Sequence, residues 1–399
     1  MAERALRRFC WLYPIANAGA FVAFLPLLTF IVPLRAAEIV TAGKYTLLSE
    51  ALIWGVLVAT IANVAAGVAS DWTHARWGTR LPWVWAGLVG SWLSYGAINL
   101  AASAIQLILA VVAFQVCFNI WFGPLTVLFA DKVPDYLKAR VSAYANLALP
   151  AGSLATALVG LPVFTSNGSR IAVLMLLTAA LTLPLLIGWP GQLIDVPDHP
   201  TVPKAPTRAG LTEFWSLWLA RFFVQLSGNI VPSYFLFYLQ ADSAASISQA
   251  SSEFAIIITV STGATALASI MVARWSDRSG RRKPFLLGAV ALMAIGVVAL
   301  IAHLGWPTAL VGYTLFCSGL GTFQSVNIAL VAQSLSAARH RGRDMGMMNI
   351  ANTLPAMLGP LIALIILDEG SGRFPALFTV LLVTLGAGAL ALVGNRTLR

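Results

Sequence analysis

Long apolar blocks alternate with short polar breaks along almost the whole chain. Read at the length a helix needs to cross a bilayer, about 20 residues, the blocks fall near 10–34, 47–69, 83–104, 106–130, 142–163, 171–190, 211–239, 251–274, 285–304, 308–333, 345–367 and 373–394. Polar positions inside the blocks recur three or four residues apart, the spacing of one helix face. The pattern predicts an all-α integral membrane protein of twelve transmembrane helices. The third and fourth blocks are nearly continuous, with Ala104–Gln106 as the expected turn. The most polar long connection, 191–210, reads GQLIDVPDHPTVPKAPTRAG. Its prolines and charges mark a linker, so the chain divides into a bundle over 1–190 and a second over 211–399. The opening MAERALRRF runs into the first block with no small-residue cleavage site. That predicts a first span rather than a removed signal peptide.

Composition narrows the class. Hydrophobic residues make up 59 % of the 399 residues and charged ones 10 %, with a mean hydropathy of +0.83. Soluble chains carry roughly 25 % charged residues, so much of this apolar surface must face lipid. The net charge of +10 would suit nucleic acid in a soluble protein. Its placement says otherwise. With the N-terminus inside, 20 of the 25 Lys and Arg fall in cytoplasmic segments, and Arg35, Lys44, Arg170 and Arg373 are the 4 outside. Arg221 lies within the seventh span. The bias is topological: it puts both termini in the cytoplasm, predicts a multi-pass protein of a bacterial-type inner membrane and removes nucleic acid as a partner. The 3 Cys and 4 His are scattered, with no ligand spacing, so neither a metal nor a cofactor is expected. No phosphate-cradling Gly-x-x-x-x-Gly-Lys loop and no nucleophile–base pair is visible, so the chain does not read as an enzyme.

Two stretches recur six spans apart. GVASDWTHARWGTRLPW follows the second span and ARWSDRSGRRKPF the eighth. Both run Ser-Asp and then Gly-x-Arg-x-Pro-aromatic, at Gly78, Arg80, Pro82, Trp83 and at Gly280, Arg282, Pro284, Phe285. A second pair, LFADKVPDYLKARVSAYANL and LVAQSLSAARHRGRDMGMMNIANTL, has the same offset. Two matches at one offset predict duplicated halves.

These residues carry a resemblance. Gly67, Asp71, Arg76, Gly78 and Arg80 resemble the loop signature of the major facilitator superfamily, with Asp277, Arg278, Gly280, Arg281 and Arg282 as the second copy. The form SDWTHARWGTRLPW is similar to the SDRTxxRWGRRRPW pattern of glycoside–pentoside–hexuronide:cation symporters and sucrose transporters. WFGPLTVLFADKVPDYLKARVSAYANL is similar as well, through Pro124, Asp131, Pro134, Arg140 and Asn146. The resemblance implies two pseudo-symmetric six-helix bundles, the major facilitator fold, and secondary transport by alternating access. It also implies a cavity lined by spans one, four, seven and ten.

The loop has its own physics. An aspartate at a helix end beside arginines can form charge-assisted hydrogen bonds, and glycine admits a close neighbour. Asp71 and Asp277 add nothing to the positive-inside bias, so they predict a latch between halves. Arg76 serves as well for topology alone.

Polar side chains inside spans are costly and mark interior faces. Span seven carries Arg221, Gln225 and Asn229 on one face, span four Gln115 and Asn119, span ten Gln324 and Asn327. Span one has Asn17 with Phe21 and Phe24, and span two Asn63. Cavity lining and interhelical hydrogen bonding are both open to these residues. Asn146, Asn349 and Asn352, near span ends, read as packing groups. Glu50 and Glu253, near the outer ends of spans two and eight, are read as the only acids in or at the edges of spans and the candidates for proton coupling. The symporters resembled here carry a carboxylate where this chain has Asn63 and another a turn earlier, where it has Ala59. A hard cation wants anionic oxygen ligands, so a sodium site of that kind is not expected. Arg221 suits an anionic or polyhydroxyl solute, or snorkels to the inner surface. The expectation is a transporter of a small polar solute such as a sugar, working as a monomer in the lipid bilayer. Efflux of an amphipathic compound and a non-transporting assembly role are the alternatives.

Overall fold

In lipid every backbone N–H and C=O must be satisfied within the segment, which leaves helices as the natural form of an apolar block. The computed structural model describes residues 2–40, 42–188, 208–242, 247–279, 281–302, 304–334, 341–367 and 373–395, and their regular structure is entirely helical. The chain divides into two compact units, Met1–Asp198 and His199–Arg399. Most of the proposed linker, 191–207, lies outside the described residues.

The first unit contains α1 (Ala2–Pro26), a π-helical turn (Leu27–Ile31), α2 (Val32–Ile39), α3 (Lys44–Trp77), α4 (Leu81–Leu100), α5 (Ala104–Lys132), α6 (Asp135–Ala145), α7 (Ala148–Gly160) and α8 (Asn167–Ile187). The second contains α9 (Arg208–Asp242), α10 (Ile247–Ser279), α11 (Lys283–Ala302), α12 (Trp306–Ser334), α13 (Arg341–Ile366) and α14 (Phe374–Val393). Counting α1 with α2 and α6 with α7, the described residues form six helical rods in each unit. Among the described residues, eight helices are long and apolar enough to cross a membrane, and α13 holds a shorter apolar stretch, Ile350–Ile366.

Three expected boundaries move. The first span begins at Ala2 and continues through the π turn to Ile39. That turn lies between Pro26 and Pro33, neither of which has an N–H to donate. The turn before α5 is at 101–103, where the Ser103 side chain accepts from the Gln106 N–H, and not at Ala104–Gln106. Span five is not one helix over 142–163 but two, broken at Asn146 and Leu147. Pro150 explains the break: it cannot donate to the Asn146 carbonyl four residues back, and its ring crowds that oxygen.

The two units repeat one packing plan. In the first, α1 packs on α7 and α8, α3 on α5, and α4 on α5 and α8. In the second, α9 packs on α13 and α14, α10 on α12, and α11 on α12 and α14. Each is the other's counterpart, element by element. Glycine sets the closest approaches. A Cβ at Gly87 would sit 2.6 Å from the Cys117 carbonyl oxygen, drawing α4 onto α5. A Cβ at Gly296 would sit 2.5 Å from the Gly312 oxygen, drawing α11 onto α12. Lipid gives no hydrophobic drive between helices, so such close van der Waals contact is what holds them.

Candidate functional site

Two sets of residues carry the candidate chemistry: the loop after α3 and the polar side chains within the helices. The helix α3 is longer than its apolar block, so Asp71 and Arg76 lie on its last two turns. Gly78 ends it with φ +70°, a left-handed conformation that favours glycine, and its N–H caps the His74 carbonyl at 2.8 Å. The reversal brings Arg80 back on Asp71, Nη2 to Oδ1 at 2.6 Å. Arg80 is buried while the Asp71 side chain is 66 % exposed, so the carboxylate has a free face. The Trp83 indole N–H donates to Thr73 Oγ1 at 2.7 Å and pins the start of α4 to the end of α3. The Arg76 guanidinium lies 5.5 Å from the exposed Trp72 ring, as an interfacial anchor does. Among the described residues, a Cβ at Gly67 would meet nothing within 4 Å, so none of them uses that glycine for a close approach. In the second copy Arg278 and Arg281 are exposed and Arg282 is half-buried. Gly280 and the Asp277 side chain lie outside the described residues.

The polar groups of the first unit bond to one another. Asn63 of α3 donates to Asn119 Oδ1 of α5 at 3.0 Å, and Asn119 Nδ2 donates to the Gln115 carbonyl at 2.8 Å. Gln115 and Asn119 are buried and Asn63 is exposed. Asn17 donates to the Ala145 carbonyl at 3.0 Å, one residue before the break between α6 and α7, where helical partners run out. Phe21 and Phe24 pack against Phe122 and Phe118, at ring-centroid separations of 6.3 and 4.9 Å. They are part of an aromatic core that continues through Phe114 to Tyr95.

The second unit gathers a charged set. Arg221 of α9 donates from Nη1 to Asn327 Oδ1 of α12 and from Nε to Asn352 Oδ1 of α13, both at 2.9 Å. One turn on, Gln324 Nε2 donates to Gln225 Oε1 at 3.0 Å, and Asn229 Nδ2 donates to the Gln225 carbonyl at 2.7 Å. So the stripe on α9 and the pair on α12 meet. Asn352, expected to serve packing near a span end, joins them; the Asn349 side chain lies outside the described residues. Arg221 does not snorkel away: two amide oxygens on two other helices hold it.

Glu50 and Glu253 are half-buried near the starts of α3 and α10, and Glu253 accepts from Gln249 at 3.1 Å. They are not the only acids within helix bounds. Glu38 lies in α2 and Glu213 in α9. Glu38 pairs with Arg35 and accepts from Asn167 Nδ2 at 2.7 Å, while Arg170 donates to Asn167 Oδ1 at 3.2 Å and to the Val159 carbonyl at 3.1 Å. Ending the first span at 34 hid this network; the two arginines that looked like stray outer charges tie helix ends together.

Known proteins place this architecture. The family model of the Major Facilitator Superfamily matches residues 217–397. None of the curated proteins matches the chain. Among solved structures, a D-xylose–proton symporter is similar over 98 % of this chain and 97 % of its own, at 15 % identity and TM-score 0.71. A bacterial homologue of the iron transporter ferroportin, in an inward-facing state, covers 100 % of both chains at 13 % identity and TM-score 0.69. A bacterial homologue of the human lysosomal transporter Spinster covers 100 % of this chain and 97 % of its own, at 17 % identity and TM-score 0.63. The chain is thus a multi-pass membrane protein with the major facilitator fold.

Proposed function

We propose that the chain is a secondary transporter of the major facilitator class that moves a small polar solute across the membrane by alternating access of its two six-helix halves. One observation carries the reading. A guanidinium is held about two turns inside a membrane span by two amide side chains, Asn327 and Asn352, where an apolar contact would cost far less. Ionisable residues in spans are kept where a solute or ion path needs them. The reading takes both termini as cytoplasmic, the membrane as a bacterial-type inner membrane, the active unit as a monomer, and 191–210 as the connection between halves.

The loop supports the same reading. Asp71 holds Arg80 with one oxygen and leaves most of its carboxylate exposed. A second partner for that carboxylate in another state would make the pair a latch, with Arg76, Gly78 and the copy around Asp277, Arg278, Gly280, Arg281 and Arg282 sharing the task. Coupling follows from what span two lacks. Asn63 spends its amide on Asn119 and brings no negative charge, so sodium has no carboxylate there. Glu50 and Glu253 remain the groups able to carry a proton. The similar solved structures include a xylose symporter and a homologue of an iron transporter, and a sugar or related polar solute fits the amide-rich set here better than an amphipathic one. Uptake by purified protein in liposomes, screened over sugars and related polar solutes, tests the proposal. Transport of at least one of them is expected, with no dependence on a sodium gradient. No transport of any sinks it in favour of an assembly role, and sodium-driven accumulation sinks the argument from Asn63.

A further inference from the structure

We infer that the solute carries an anionic group, a carboxylate or a like planar oxyanion, bound by the donors around Arg221; this rests on the transporter reading above. The charge balance comes first. Both described hydrogen bonds of Arg221 end on neutral amide oxygens. The sequence offers no acid nearby on the same helices. The range Trp306–Ser334 contains no Asp or Glu, nor does Phe374–Val393. On α9 the nearest acid is Glu213, and on α13 it is Asp344, eight residues before Asn352. Eight residues along a helix are about 12 Å. Arg221 therefore keeps its full charge in a setting where an unpaired ion is costly.

The donor count comes second. A guanidinium has five N–H groups and no acceptor. Asn327 and Asn352 turn their oxygens to it, so their NH2 groups are left as donors too. Asn327 is 0 % exposed, and its Nδ2 has no hydrogen-bond partner. A buried donor is not left unsatisfied without reason. The cluster has donors to spare and acceptors already spent. An oxyanion reverses both deficits at once: it supplies the missing negative charge and accepts from guanidinium and amide together, in the two-pronged geometry that arginine favours. A neutral sugar brings further hydroxyl donors to a set already rich in them and leaves the charge uncompensated.

Matched probes test this on the purified full chain. Thermal unfolding is followed with gluconate against glucose, lactate against lactamide and benzoate against benzamide. A ligand that binds the folded state raises the midpoint with concentration. At least one acid is expected to raise it while its neutral twin does not. Arg221→Met is expected to abolish that shift and Arg221→Lys to keep part of it. Asn327→Asp, nearly isosteric, places a carboxylate on Arg221; it is expected to remove the response to the acid while leaving a folded protein, and it decides the matter if Arg221→Met does not fold. Equal shifts with acid and neutral twin, a shift that survives Asn327→Asp, or no shift with any acid overturns the inference. Liposome uptake separates this from the broader reading. Transport of a neutral solute unaffected by Arg221→Met leaves a transporter without an anion site. Acid-dependent stabilisation with no transport leaves a binding site without a transporter.

Discussion

In the first unit, Asn63 and Asn119 form a neutral chain from α3 onto α5 that ends on the Gln115 carbonyl, each described amide bond ending on a neighbouring oxygen. In the second unit the polar set joins different helices: a guanidinium on α9, the counterpart of α1, takes the oxygens of Asn327 on α12 and Asn352 on α13 and leaves an amide donor buried without a partner. The surrounding scaffold is the same: counterpart helices pack on counterpart helices, and glycines at 87 and 296 set the closest approaches. The difference teaches that duplication preserves backbone packing more strictly than interior chemistry. Close helix contact tolerates little change, whereas a polar side chain facing a neighbour can be exchanged as long as its bonds are met.

The shared scaffold gives the largest expected effects. Gly87→Leu and Gly296→Leu each drive a side chain into backbone about 2.6 and 2.5 Å away. Overpacking of this kind costs about 1–3 kcal/mol or more. Both variants are expected to lose most of their monodisperse protein in detergent chromatography. A loss at one position only would break the equivalence of the two units.

The next effect is confined to the second unit. Arg221→Met removes a half-buried charge that has no acidic partner among the described residues. Apolar replacement of buried ions is often neutral or stabilising, so the thermal midpoint is expected to hold or rise while uptake falls at least about tenfold, as for the loss of a buried charged partner. A large drop in the midpoint would make Arg221 a structural staple.

Asp71→Asn follows. It weakens the bond to buried Arg80 by removing the charge while retaining an acceptor, at a cost of about 1–2 kcal/mol. Slower uptake is expected, several-fold, with little loss of folded protein. Unchanged uptake removes the latch. The smallest effect belongs to the neutral chain: Asn63→Ala gives up one interhelical amide bond, about 0.6 kcal/mol on average. Its midpoint should shift by no more than a few degrees. A loss as large as that of Arg221→Met in uptake would show that the first unit's set is as functional as the second's.

Much of the fold is legible in the residues because it is local or periodic. Apolar blocks of membrane length, the paired Gly-x-Arg-x-Pro-aromatic loops and the proline-rich stretch after Ile187 are visible without coordinates. Helix ends were less legible. The break at Asn146 is written in Pro150, yet hydropathy runs across it. Glu38 is not marked by the hydropathy pattern because α2 extends past the apolar block of the first span.

The candidate site divides along the same line. Stripes such as Arg221, Gln225 and Asn229 follow from the 3.6-residue turn, so the sequence by itself determined which side chains share a face of one helix. Which helix that face meets depends on rotation and crossing, and these are settled by glycine contacts and aromatic packing spread over the whole unit. Only the tertiary structure therefore paired Arg221 with Asn352 rather than with solvent, sent Asn17 to a broken helix, and set Arg80 on Asp71 through the left-handed turn at Gly78. Each is a bond between distant residues whose geometry no single helix contains.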